Sequence, residues 1–422
     1  MFTRRIANPD FGFRLTGKDG PYAVGFLVAD DKSPGREVPP GDPLANKKAY
    51  FAIGRVSRDI GSQSTVGIMF TDREFQNSFN RVGGIDTHIR LNSNRTTSGQ
   101  AVVSATRALD GSYLAGPAFH MDVQRQGRSL QYLFNYEGRA NGFHTDSGFD
   151  PQPGIHNLDS VLQYTFHPEG RHVITWSPLM EANRIYDHDG NWLNWGYFPQ
   201  MKFEFPRQTF LNLLYAIEGE RLRPKDFSVL TRNKDFRRST REVTLNSNYF
   251  RQVGLQMDLR WGNRVNYAPA AGQQPFLAWR TSVSLTATVR PTSMLKVDTT
   301  YLLFRLRDRA TGAAIFNDHI LRSKWNYQFT KALSLRLIGQ YSALLGNPQF
   351  TSLPSDKNLN WDLLATYLVH PSTAVYVGYN SNLQNLDPAL ALGPDGEIRR
   401  RPDQFINDGR HFFVKVSYLF RF

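Results

Sequence analysis

Hydrophobic and polar residues alternate along most of this chain, and the alternation is plainest in its final stretch. From Arg410 to Phe422, Phe412, Val414, Val416, Tyr418, Phe420 and Phe422 share one parity; His411, Phe413, Lys415, Ser417, Leu419 and Arg421 share the other. Successive strand side chains point to opposite faces, so this is a β-strand with one apolar, aromatic stripe and one stripe mixed with charge. The period of two recurs upstream. Phe11, Phe13 and Leu15 alternate with Gly12, Arg14 and Thr16; Ile85, Thr87, Ile89 and Leu91 with Asp86, His88 and Arg90; Leu255, Met257, Leu259 and Trp261 with Gln256, Asp258 and Arg260. Counting these segments predicts about twenty-one strands, and no stretch shows a competing helical period.

The connections matter as much as the strands. Short turns, such as 18–21, 59–63, 125–128, 167–170 and 290–293, alternate with long polar stretches at 30–47, 71–84, 138–155, 218–240 and 383–409. In water, strands carrying such stripes would present edges that aggregate. In lipid, a sheet must close so that no backbone edge is left unpaired. The expectation is therefore all-β: one transmembrane antiparallel up-and-down β-barrel over residues 1–422, with about 20–22 strands, short periplasmic turns and long extracellular loops, in the bacterial outer membrane. The last strand also resembles the signal read by the barrel-assembly machinery, with Tyr418, Phe420 and Phe422 as its carriers and that machinery as a partner during biogenesis. If the last strand ends in the periplasm, counting back makes the first strand run downward. The chain is then expected to lack at least one upstream strand and a signal peptide, unless Phe2 to Ile6 supplies the strand.

Composition narrows the field. Hydrophobic residues make up 40% of the 422, and the mean hydropathy is −0.45. With no run near the roughly 18 apolar residues of a spanning helix, a helical membrane protein is excluded. A barrel needs only alternate residues apolar, and 13% aromatics suit interfacial girdles. There is no cysteine, so neither a disulfide framework nor thiolate chemistry is available. The net charge of +13 is spread out, with local runs at 237–241 and 399–401 and no recognition-helix pattern. It speaks against nucleic acid as a partner and for outer-membrane lipid, lipopolysaccharide or an anion-attracting lumen.

Candidate chemistry lies in the polar column, which holds Arg55, Asp86, His88, Arg90, Asp258, Arg260, Arg322 and Arg336 as candidate ligand contacts, beside Asp122, Glu137, Asp159, Lys296, Asp298, Lys324, Asp362 and Lys415. One reading is a solvated, mutually paired lumen; the other is a surface selecting anions. Asp187 to Asn191 looks like the first half of a calcium loop, yet it lacks the later bidentate Glu, and Asp-Gly is also a hairpin turn. No metal or cofactor is assigned. Tyr186, Trp192 and Trp195 could stack on sugar rings or belong to an interfacial girdle. Asp30 with Asp31, and Asp146 with Asp150, are paired carboxylates of the kind glycoside hydrolysis uses, if space sets them across a sugar. The histidines lack HExxH spacing, and serine-elbow and phosphate-loop motifs are absent, so no residue is assigned a catalytic role and the chain reads more readily as non-enzymatic.

A resemblance adds to this. Phe2-Thr3-Arg4-Arg5-Ile6, Leu15-Thr16-Gly17-Lys18, Val56-Ser57-Arg58-Asp59-Ile60 and Asn80-Arg81-Val82-Gly83-Gly84-Ile85-Asp86, in that order, resemble the carboxy-terminal barrel of outer-membrane proteins that carry an amino-terminal family-9 carbohydrate-binding-like domain. That barrel is catalogued as domain of unknown function 5916. The resemblance implies a companion sugar-binding domain, absent from this sequence, as the route to any carbohydrate partner. The expected function is a solute-passage or translocation pore, or a membrane anchor for that domain. Alternatives are a surface module that binds glycan or protein without transport, and part of a glycan-degrading hydrolase.

Overall fold

The structure, a computed structural model, describes residues 5–39, 41–150, 152–370, 373–393 and 396–418. It divides into two compact units, Met1–Thr165 with Leu179–Tyr197, and Phe166–Pro178 with Phe198–Phe422. The first holds β1 (Gly12–Asp19), β2 (Tyr22–Asp31), the single helical turn α1 (Ser33–Arg36), β3 (Ala49–Ile60), β4 (Ser64–Phe75) and β5 (Ser78–Asn92). There follow β6 (Arg95–Arg107), β7 (Tyr113–Gln126), β8 (Leu130–Arg139) and β9 (Ile155–Tyr164). Strands β10 (Thr175–Asp187) and β11 (Trp192–Phe205) are shared between the units. The second unit adds β12 (Thr209–Leu222), β13 (Lys234–Phe250), β14 (Val253–Asn266), β15 (Phe276–Val289) and β16 (Leu295–Asp308). It ends with β17 (Ala314–Gln328), β18 (Leu333–Gly346), β19 (Asp356–His370), β20 (Thr373–Gln384) and β21 (Ile406–Tyr418).

The described residues thus form 21 strands, and every described register is antiparallel between sequence neighbours. The pattern of β15 shows why. Val283, Leu285, Ala287 and Val289 alternate with Ser282, Ser284, Thr286 and Thr288, and branched residues favour the extended backbone. Cross-strand register then carries each parity class from strand to strand. Trp361 and Leu363 of β19 lie opposite Gly339 and Leu337 of β18, and Leu337 opposite Trp325 of β17, so one apolar face runs across all three.

That face is left exposed. Trp325, Trp361, Leu363, Tyr379, Phe412 (69% accessible), Val414 and Val416 all stand out from the sheet. A soluble protein rarely shows so broad an apolar patch. Buried apolar residues form only small clusters at the long-connection ends of strands, such as Val82, Val102, Ala118 and Phe143 in the first unit and Ala278, Leu306, Ile315 and Phe316 in the second.

The long and short connections alternate with exceptions: 165–174, between β9 and β10, is longer than 188–191 after it, and 309–313, between β16 and β17, is no longer than 290–294 before it. Between β4 and β5, where the sequence suggests a loop over 71–84, a two-residue turn stands instead. Gln76 adopts φ 55°, and the strands keep their register up to Phe75 opposite Ser78, because Arg81 binds Asp72 and Glu74 across the pair. The connection expected over 218–240 shrinks to 223–233: its charged flanks are strand, with Glu218, Glu220 and Arg238 alternating inside β12 and β13. Of the assembly-signal residues, Tyr418 is exposed on the apolar face, whereas Phe420 and Phe422 lie outside the described residues. Arg5 and Ile6 belong to no strand, and residues 2–4 also lie outside the described residues.

Candidate functional site

The face opposite the apolar one carries the charge. In the first unit, Arg55 of β3 reaches past β4 to Asp86 of β5, with Nε and Nη2 donating to the carboxylate at 3.0 and 2.5 Å and Nη1 to Ser57 at 3.1 Å. A two-point guanidinium–carboxylate contact fixes both side chains more firmly than a point charge would. Gly67, directly between them, leaves the room: a β-carbon there would sit 2.9 Å from Asp86 Oδ2. His88 pairs with Ser98 Oγ at 3.0 Å. Arg90 is spent on the β5–β6 turn, donating to the carbonyls of Asn92 and Ser93.

In the second unit, Arg260 of β14 donates to Glu242 of β13 at 2.7 Å and to Asp258 at 3.0 Å. This pair is the edge of a larger cluster that the sequence reading missed. Arg238 of β13 binds Glu218 and Glu220 of β12, at 3.1 and 3.4 Å, and Tyr267 donates its hydroxyl to Glu220 at 2.6 Å. Burial, then the hydrogen bond to Glu220, pushes the Tyr267 hydroxyl well above the usual phenol range, so it stays a donor. Arg280 of β15 donates Nη2 to Thr240 Oγ1 at 3.1 Å, and its buried Nε meets no acceptor. Arg264, Arg260 and Arg238 share its face of the sheet. Arg264 itself lies over the Phe304 ring, 5.7 Å from its centroid. The acidic groups are thus bound by Arg238, Arg260 and Tyr267, while Arg264 and Arg280 have no carboxylate within ion-pair distance among the described residues. Arg322 and Arg336, on β17 and β18, are exposed on the same face and join neither cluster. The eight candidates do not converge on one site.

Two connections fold onto this face, each within its own unit. Phe143, in 140–154, packs on Val82, Val102 and Ala118, and Asn80 clamps the loop by bonding His144 O and Asp146 N at 2.9 and 2.8 Å. Phe350 and Leu353, in 347–355, pack beside Ala278 and Phe316, with Asn266 bonding Phe350 O.

The other candidates have local roles. Asp187 Oδ1 accepts the amides of Asp189 and Asn191, so that carboxylate closes its own turn. Tyr186 accepts from Arg184, which also donates to Tyr197, and Trp195 lies 5.8 Å from the Tyr197 ring. Trp192 opens β11 and is half-buried. Asp30 and Asp31 are buried and hold backbone: Asp30 accepts the amides of Asp10 and Phe11, Asp31 those of Ala7, Asn8 and Ser33. Asp146 binds Arg73 and His144, and Asp150 lies 3.5 Å from Arg139. These carboxylates are held by structural partners, backbone amides for one pair and arginine or histidine for the other.

No protein-family model and no curated protein matches this sequence. Solved structures do match by fold. The copper transporter OprC is similar over 99% of this chain and 81% of its own, with a TM-score of 0.58 at 12% identity. The ferric enterobactin receptor PfeA of Pseudomonas aeruginosa is similar over 99% and 78%, with a TM-score of 0.54 at 10% identity. The ferric-catecholate import receptor Fiu of E. coli K12 is similar over 96% and 79%, with a TM-score of 0.51 at 10% identity. The fold is that of an outer-membrane β-barrel. In such a barrel the exposed apolar column is the lipid-facing wall and the charged column lines the lumen. Arg55, Asp86, Asp258 and Arg260 therefore belong to the lumen wall, as do Arg264 and Arg280. A charged residue inside a strand registers in sequence only as a break in hydrophobicity; parity beyond residue 218 was the signal that would have found Glu218, Glu220 and Arg238.

Proposed function

We propose that this protein resides in the outer membrane and passes solutes through its lumen, with anions favoured at the wall formed by β12 to β15. The observation that carries the reading is the asymmetry of the arginine cluster. Four acidic groups there are already bound by Arg238, Arg260 and Tyr267, which leaves Arg264 and Arg280 without a carboxylate partner among the described residues. A guanidinium offers a planar fork that suits carboxylate and phosphate oxygens, and cationic rings and patches select anions in pores. The loops 140–154 and 347–355 narrow access to the wall in their own units, which favours a gated or selective passage over an open one. Similarity in fold to a copper transporter and to iron-chelate receptors supports passage in general and no particular solute.

The experiment is conductance of the purified protein in planar bilayers under a salt gradient. Wild type is expected to give discrete steps with a reversal potential on the anion side, and Arg264→Gln with Arg280→Gln together to move it toward zero or beyond. An unchanged reversal potential would count against the cluster, and silence against passage. Kinship with the barrel of domain 5916, and anchoring of a carbohydrate-binding-like domain, are part of the same proposal and rest on the four sequence motifs. A second reading, a glycan-binding surface module, is favoured by two bridges among the described residues of the 385–405 connection, Leu386 with Arg400 and Leu392 with Ile398; binding to a glycan array by a non-conducting protein would select it.

A further inference from the structure

The lipid-facing wall of the second unit carries a feature that a hydrocarbon environment does not ask for. On the outward parity of β12 to β17, one cross-strand row reads Tyr215, Arg241, Trp261, Thr281, Arg305 and Asn317. One step nearer the long connections, Trp279 lies opposite Arg307. Arg237, four residues before Arg241, is exposed on the same face, and Arg309 follows in the β16–β17 connection. Five arginines thus sit among three exposed aromatics, Tyr215, Trp261 and Trp279. The rings hold some of them in place: Arg241 lies over Tyr215 at 5.4 Å and Arg309 over Trp279 at 5.0 Å. Arg305 is aimed by its Nε, which donates to Asn317 Oδ1 at 2.6 Å and leaves both terminal nitrogens available. The one acidic side chain of this parity nearby, Asp235, is taken by Arg221 at 2.7 and 2.8 Å.

An arginine facing hydrocarbon is costly at the bilayer midplane and nearly free at the interface, so this belt marks the headgroup level, as the tryptophans do. Arg305 and Arg307 lie in the last four residues of β16, Arg309 in the connection after it and Arg237 in the first four residues of β13, which places the belt at the outer-leaflet end of these strands, with Arg241, midway along β13, at its inner edge. Fixed guanidiniums with no carboxylate partner, at headgroup depth, match an anionic headgroup rich in phosphate. Arg241 and Arg305 stand three strands apart, roughly 14 Å at the usual strand spacing, which suits a ligand with two separated phosphates better than one.

We infer that Arg241, Arg305 and Arg307 form a docking site for the doubly phosphorylated glucosamine headgroup of lipopolysaccharide, with Arg237 and Arg309 at its margins. The inference rests on the outer-membrane placement proposed above and is independent of solute passage. The test compares wild type with the triple variant Arg241→Gln, Arg305→Gln, Arg307→Gln, each checked for a folded, heat-modifiable band. Phosphorylated glycolipid retained through detergent purification is counted by mass spectrometry of the intact protein. Purified lipid A, its dephosphorylated form and phosphatidylglycerol vesicles are then offered to delipidated protein. Wild type is expected to retain and rebind lipid A, the variant to bind about tenfold more weakly, equivalent to the loss of one good ionic contact, and the dephosphorylated lipid to bind neither. Equal retention by the variant overturns the site, and so does phosphatidylglycerol competing as well as lipid A. A variant that loses lipid yet keeps wild-type conductance supports it. If neither protein conducts but lipid retention differs, passage fails and the docking site stands.

Discussion

Asp10 sits where two lysines converge, and they hold its carboxyl below the usual carboxylate range, Lys32 first and Lys48 second. Lys48 also binds Asp30 at 2.9 Å, and Asp30 in turn accepts the Asp10 and Phe11 amides. The group therefore fastens the segment ahead of β1 to the end of β2. Because the folded chain binds the Asp10 proton less readily than the unfolded chain, the carboxylate favours folding at every pH above its unfolded value. That contribution fades as the pH falls through the lowered folded value. Protection of the amides in residues 7–11, taken as the exchange rate relative to the intrinsic rate at each pH, should fall as the pH is taken from about 6 toward about 3, and Asp10→Asn should show the lower protection already at about pH 7. Protection that is flat with pH in wild type would remove the lysine pair from the account. At this scale the two carboxylates Asp30 and Asp31 changed meaning: adjacent acids in sequence suit catalysis, but here each is occupied by backbone amides.

Between strands, a recurrent device is an aromatic ring laid over the glycine directly opposite it. Gly54 faces Phe70, Gly339 faces Trp361 and Gly378 faces Phe413. A β-carbon added to Gly339 would lie 2.6 Å from the Trp361 ring, and one on Gly378 only 2.3 Å from Phe413. The ring covers backbone that a missing side chain would leave bare, and pins the register of the pair. Gly339→Val should force Trp361 off its neighbour and cost about 1–3 kcal/mol, read from urea unfolding in lipid bilayers. Gly17→Ala, where nothing lies within 4 Å of the new carbon, should change stability by less than about 0.5 kcal/mol. Equal effects would show that the ring contact carries no register information.

Across the whole molecule, one rule assigns each residue its solvent: parity along the strand decides whether a side chain meets hydrocarbon or the lumen. Leu363 and Leu364, adjacent in the middle of β19, test it without any change in composition. Leu363 is exposed on the apolar face and Leu364 is half-buried on the polar one. Leu363→Arg should cost about 2–4 kcal/mol, the range for arginine on the lipid face at the midplane. Leu364→Arg should cost much less, since its charge enters an aqueous wall that already carries Asp362. The measurement is reversible unfolding of both variants in the same bilayer; similar losses would mean that the faces are misassigned.

The class of fold is legible in the order of residues, because a period of two over nearly every segment, with apolar residues on one parity, leaves a sheet between two solvents as the consistent solution. So is the sixteen-residue charged column, since parity is fixed by counting. Where strands stop is not. At 71–84 and 218–240, charge and glycine looked like loop, but the strands continue beyond the apolar belt, where polar side chains on both faces are tolerated. Pairing emerges only once the strands are assembled: which carboxylate each arginine meets depends on cross-strand register and on side chains that reach past an intervening strand, as Arg55 does over Gly67 to Asp86. Register is a relation between segments far apart in sequence, so no local pattern contains the isolation of Arg264 and Arg280, the inward fold of 140–154, or the outward row from Tyr215 to Asn317.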